Sequence, residues 1–191
     1  MGSVYAPVIN LDSFVWILLQ LFLIGGVAAN YLDEIQGRPW HTKIPKTHLW
    51  IISLFSLIAS NLIGIYLSIT FAWWFWLFTV VWVFFIIAYD LELFNGCFHN
   101  TPSLALSWGS VCLGSYYLQS FTITPKILIV SLINGCIAGY GRNLYEVAKP
   151  FCKDKNPFSS EASRFAWALL KKQILFVDIL AVVMLTLKLL A

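Results

Sequence analysis

Charge is what this chain has least of. Of its 191 residues only 11% are charged while 60% are hydrophobic, and the mean hydropathy is +0.80. A water-soluble domain is about one-quarter charged, and a chain this short would still need a polar surface. A soluble globule is therefore excluded. There is no block of Lys or Arg, and the net charge is only +3, which argues against a nucleic-acid partner. The four cysteines, Cys97, Cys112, Cys136 and Cys152, show no CxxC spacing. Cys112 and Cys136 fall inside apolar runs and are expected to be small core residues, while Cys97 and Cys152 could share a membrane face, which leaves a disulfide open. P-loop, GxSxG and HExxH motifs are absent, as is a histidine pair able to ligate haem. No basic n-region or A-x-A-like site marks a signal peptide, and Ala6 stands where N-myristoylation would want Ser or Thr.

What is abundant is continuous apolar sequence. The runs do not alternate, so helices are expected rather than a barrel. A spanning helix needs about 20 mostly apolar residues. Six runs qualify, at about 13–30, 49–69, 71–89, 102–121, 125–146 and 170–190. The expected fold is all-α: one polytopic membrane domain over residues 1–191, a bundle of about six transmembrane helices. Ser68, Ile69 and Thr70 leave room for only a tight hairpin between the second and third runs. Pro102 and Pro125 suit the first turn of a helix, where the missing N–H costs nothing. Ser159-Ser160-Glu161 reads as a cap before the last helix, and Trp73, Trp74 and Trp76 as an interfacial belt.

Lys and Arg set the orientation. Arg38, Lys43, Lys46, Arg142, Lys149, Lys153, Lys155 and Arg164 follow runs one, three and five, with Lys171 and Lys172 just beyond; the opposite face has only Lys126 and Lys188. The positive-inside rule puts the charged loops in the cytoplasm and both termini outside. Nearly all the acids lie on the same face, as do His41, His48 and His99. A site belongs there.

Four polar constellations stand out. In the first, Asn30, Asp33 and Glu34 share a helical face at spacings of three and four. These are hard oxygen ligands able to hold Mg²⁺ against a diphosphate, with Arg38 and Lys43 neutralising the phosphate. The alternative is a wet helix end with a salt bridge. In the second, Tyr89-Asp90-Leu91-Glu92-Leu93-Phe94-Asn95-Gly96 and His99, Asn95-Gly96 signals a turn. Asp90 and Glu92 are two apart and point different ways on a helix, one inward and the other to the interface. The third surrounds Arg142, either a phosphate clamp or an i,i+4 salt bridge to Glu146. The fourth is Asp178, deep in the last run. An acid there costs several kcal/mol unless paired, hydrated or protonated, so it is expected to face the bundle interior, with Asn61, Asn134, Gln119 or Ser107 as partner. Gly25-Gly26, Gly64, Gly109, Gly114, Gly135, Gly139 and Gly141 read as helix-packing positions.

The stretch N-Y-L-D-E-I-Q-G-R-P-W-H-T-K-I-P, Asn30 to Pro45, resembles the first acidic motif of the UbiA-type intramembrane prenyltransferases, N-D-x-x-D-x-x-x-D followed by Arg-Pro. Asn30 matches the motif's Asn, Glu34 its second Asp, and Arg38-Pro39 the Arg-Pro. A-Y-D-L-E-L-F-N-G-C-F-H followed by L-A-L-S-W-G-S looks like the centre of divergent members, where a Tyr-rich helix end at Tyr89 leads into a Gly-containing helix. The chain departs from the pattern in several places. Tyr31 and Arg38 occupy the first and third Asp positions, and the second motif, D-x-x-x-D, is reduced to Arg142-Asn143-Leu144-Tyr145-Glu146. The family has nine helices where six are counted here. The resemblance implies prenyl transfer from an isoprenoid diphosphate to a lipidic acceptor. Asp33 and Glu34 would be catalytic, Asn30, Asp33 and Glu34 would hold Mg²⁺, and Asn30, Arg38, Lys43, Tyr89 and Arg142 would bind substrate. The depleted motifs suggest the rival reading: a non-catalytic subunit or lipid-binding scaffold, with membrane lipids and other membrane subunits as partners.

Overall fold

The computed structural model describes residues 2–36, 42–154 and 161–190, the side chains of 149–154, 161–163 and 189 excepted. Every regular element among them is helical. After a short 3₁₀ turn at Gly2–Tyr5 come six long helices: α1, Leu11–Gln36; α2, Lys46–Thr70; α3, Phe75–Asp90; α4, Thr101–Ser120; α5, Pro125–Asp154; and α6, Glu161–Leu190. Within α1, Phe22–Ala28 are wound as a π-helix.

Local chemistry explains the helix ends. Asn10 caps α1 by accepting from the Ser13 N–H, and Asn100 caps α4 by accepting from that of Ser103. Pro102 and Pro125 sit in first turns, as expected. α4 stops where Phe121 turns left-handed, at φ 57°. The hairpin between α2 and α3 falls at Phe71–Trp74, later than the sequence suggests. Ser68 donates back to the Gly64 carbonyl inside the helix, so its hydroxyl is satisfied without a turn. α5 and α6 also overrun the apolar limits of their runs, reaching Asp154 and starting at Glu161, while Ser159 and Ser160 lie outside the described residues.

Three helical segments, Leu11–Gln36, Lys46–Thr70 and Pro125–Ala148, are long and apolar enough to cross a membrane; Phe75–Asp90 is apolar but shorter. The distribution of side chains on α2 fits that medium. Ser53, Ser56, Ser60 and Gly64 are buried, whereas Phe55, Ile58, Leu62 and Ile69 are exposed. Turning serine inward and isoleucine outward would be costly in water. In lipid, small inward residues let backbones approach while the aliphatic face meets acyl chains.

α1 packs on α2, α3 on α4, and α4–α5–α6 follow in sequence. The main core joins Ile17, Ile24, Leu32, Leu57, Leu67, Phe75, Trp82 and Leu118, with Phe75 and Trp82 meeting edge to face at 5.6 Å. Polar cross-ties lie inside it. Gln20 of α1 donates to Thr79 of α3 at 3.1 Å, and Gln119 of α4 donates to Ser13 of α1 at 3.0 Å. A methyl group on Gly135 would collide with the Ala105 carbonyl of α4, so this glycine is the packing position the sequence suggests. Gly25 is not: nothing lies within 4 Å of a Cβ built there. Cys136 is exposed rather than a core residue, while Cys112 is buried as expected. Cys97 is free, and the side chain of Cys152 lies outside those described.

Candidate functional site

The end of the bundle that gathers charge is organised around one guanidinium. Arg142, nearly five turns into α5, reaches back across the mouth of the bundle. Its Nε donates to Tyr89 Oη at 2.7 Å, Nη1 to Thr101 Oγ1 at 3.2 Å and Nη2 to the His99 carbonyl at 3.0 Å. Thr101 in turn donates to Asn143 Oδ1 at 2.8 Å. The His99 ring stacks on Tyr89 with centroids 4.4 Å apart, and its Nδ1 lies 2.9 Å from the Tyr89 carbonyl. One side chain therefore fixes the end of α3, the start of α4 and the loop between them. That loop is tightly wound: Glu92, Phe94, Asn95 and Gly96 all have positive φ. The turn signal at Asn95-Gly96 holds, and so does the opposed pair, with Asp90 buried and Glu92 exposed.

Below this rim lies a cavity of about 140 Å³ between α1, α3 and α4. Its walls are largely apolar, with Ile24 and Gly25 from the π-helical stretch facing Trp82, Phe85 and Ile86 of α3 and Trp108 of α4. A π-turn widens a helix and is commonly found where a functional site needs room. With no side chain at Gly25, α1 leaves that space open. Tyr89, Asp90 and Ser103 close the polar end. Asp90 is only 7% exposed, and its Oδ2 has no hydrogen-bond partner. Asp33, half-buried in the last turns of α1, is close enough for its charge to act on both Tyr89 and Asp90.

The residues expected to form a site are only partly brought together. Asp33, Tyr89 and Arg142 converge on the rim. Asn30 is exposed, and its amide donates to the Gly26 carbonyl at 2.6 Å. Glu34 is buried, and one of its oxygens accepts from both the N–H and the hydroxyl of Thr42 at 2.8 Å, which shapes the chain after α1. Lys43 is exposed, and Arg38 lies outside the described residues. Among the described residues no three His, Cys, Asp or Glu side chains come near enough to share a metal ion. Asn30 is exposed whereas Glu34 is buried with one oxygen committed to Thr42, so the two are not presented together as the expected Mg²⁺ ligand set. Arg142, read as a clamp or as a partner of Glu146, donates to Tyr89, Thr101 and the His99 carbonyl and so ties the rim together.

Asp178 corrects another expectation. It is exposed on α6, on the rim of a shallow groove with Asn134, Gln173 and Trp108, and does not face the bundle interior. Three of its four expected partners are engaged elsewhere: Asn61 with the Leu57 carbonyl, Asn134 with that of Trp108, and Gln119 with Ser13 and the Asn10 N–H. Among the described residues the last helix packs chiefly against α5, which leaves that face of α6 outward.

Sequence reasoning did not single out the cavity or its aromatic walls. Nothing in a uniformly apolar run marks Trp82, Phe85 and Trp108 as lining rather than core. The one available signal was Gly25-Gly26, read as packing. No family model, curated protein or solved structure matches the chain.

Proposed function

We propose that this chain is an integral membrane protein whose six helices cross the bilayer and whose α1–α3–α4 cavity holds the apolar part of an amphipathic molecule. In this reading it serves as a non-catalytic lipid-binding subunit of a membrane complex. One observation carries the reading: a mostly apolar cavity ends in a polar rim at the charged end of the bundle. Such a space suits a ligand with an apolar body and a polar head. The positive-inside rule supports a cytoplasmic rim with both termini outside. The bond from Lys188 Nζ to the Pro7 carbonyl, 2.9 Å, supports termini that share one end. The test is mass spectrometry of molecules retained by the purified protein, beside a Gly25→Leu variant whose side chain would enter the cavity. Retention by the wild type and loss in the variant supports the reading; equal retention by both defeats it.

A second reading is prenyl transfer, as the resemblance implies. The observation in its favour is that Asp90 lines the polar end of an apolar cavity and Asp33, from another helix, is near enough for its charge to act on it. The cavity would shelter the prenyl chain from water, and Arg142 would order the rim. Because the described residues make no Mg²⁺ site of their own, this reading has the metal arrive with the diphosphate. Titration with geranylgeranyl diphosphate, with and without Mg²⁺, beside Asp33→Asn/Glu34→Gln, tests it. Metal-dependent binding lost in the variant favours transfer, and no binding by either protein removes it.

A further inference from the structure

We propose that the α1–α3–α4 cavity selects a ligand whose head is an ammonium, seated between Asp90 and the aromatic walls; this rests on the reading of the cavity as a ligand site. Four observations converge. First, Asp90 is 7% exposed and lines the cavity with one carboxylate oxygen unpartnered. Leaving a buried carboxylate oxygen without a donor is costly, so a bound molecule that supplies an N–H is favoured. Second, among the described residues no cationic side chain is bonded to that oxygen. The guanidinium of Arg142 donates to Tyr89, Thr101 and the His99 carbonyl. Third, burial and then the neighbouring charge of Asp33 both work against a negative Asp90, and a bound positive head, unlike a neutral donor, offsets both. Fourth, the aromatic residues Trp82, Phe85, Tyr89 and Trp108 are among those lining the cavity. Aromatic faces around a carboxylate are what an organic cation prefers, since ring quadrupole and charge act together.

The size limits the ligand. A cavity of about 140 Å³ is close to the ~150 Å³ that accepts benzene in an engineered apolar core. The group within the walls is therefore about the size of one ring or a short branched chain, with the ammonium at the Asp90 end. A lipid headgroup and a free amine both offer this chemistry.

The experiment uses the full chain in lipid nanodiscs and three probes that share a ring: benzylamine, benzyl alcohol and benzoate, titrated by calorimetry against empty discs. The expected result is benzylamine bound at least ~10-fold more tightly than benzyl alcohol, with benzoate weakest. In Asp90→Asn that preference should fall to about 2-fold or less. Trp108→Leu, which removes an aromatic wall and keeps Asp90, should weaken the amine more than the alcohol. The comparison of amine with alcohol on the wild type needs no variant, so misfolding of Asp90→Asn cannot shelter the idea. Repeating it in discs that contain an ethanolamine lipid assigns the source: competition points to a headgroup, and its absence to a water-borne amine. Equal binding of amine and alcohol overturns the ammonium assignment while leaving the cavity as an apolar ligand site. Binding of none of the three overturns both.

Discussion

Removing the Arg142 side chain should loosen the charged end of the bundle measurably. Its guanidinium joins Tyr89, Thr101 and the His99 carbonyl, three acceptors on two helices and a loop. A hydrogen bond from a charged donor contributes about 1.5–3 kcal/mol net when buried. Here the site is half-exposed and the three bonds are coupled, so the sum is discounted to about 2–4 kcal/mol for Arg142→Ala. At roughly 2–4 °C per kcal/mol, the midpoint of thermal unfolding should fall by about 5–15 °C. Scanning fluorimetry or circular dichroism on detergent-purified protein gives the number. Arg142→Lys should recover less than half of the loss, because a single ammonium cannot fork to three acceptors. A double-mutant cycle with Tyr89→Phe, which deletes only the hydroxyl, should return a coupling of about 1–2 kcal/mol. A midpoint within about 1 °C of the wild type for Arg142→Ala, or a coupling near zero, would refute the claim that this residue holds α3, α4 and α5 together.

Three further outcomes follow from particular positions. Gly135→Ala should cost about 1–3 kcal/mol in chemical unfolding, because the new methyl meets the Ala105 carbonyl and α4 must move; a neutral result would mean that the two helices are farther apart than described. Gly25→Ala should be neutral or stabilising by up to about 1 kcal/mol, since a Cβ there meets nothing and alanine favours the helix; a loss of stability on the same assay would contradict an open cavity. Asp178→Ala should leave the unfolding midpoint unchanged or slightly raised, whereas Thr79→Val, which strands the Gln20 amide, should lower stability by about 0.5–2 kcal/mol. The reverse ranking would show Asp178 to be paired and Gln20 not.

The amino-acid sequence by itself determined the class of structure and the end at which chemistry gathers. Continuous apolar runs can satisfy their backbone only as helices, and six of them became six helices. Asn100, Pro102 and Pro125 marked helix starts because capping and proline chemistry are local. The charges of Asp33, Tyr89-Asp90 and Arg142 lay at the run ends, and the fold put them together. Sequence did not decide which way a side chain faces in a run apolar on every side. Asp178, placed inward by the cost of a charge in lipid, turned outward because α6 packs chiefly against α5. Asn30 and Glu34, matched in spacing as ligands, went to the Gly26 carbonyl and to Thr42, because backbone groups within reach compete for the same oxygens and nitrogens. The cavity is the clearest case. It exists because α1 widens into a π-turn at Gly25, opposite Trp82 and Trp108 from two other helices. A space left between three helices is a property of how they are placed together, and no single run contains it.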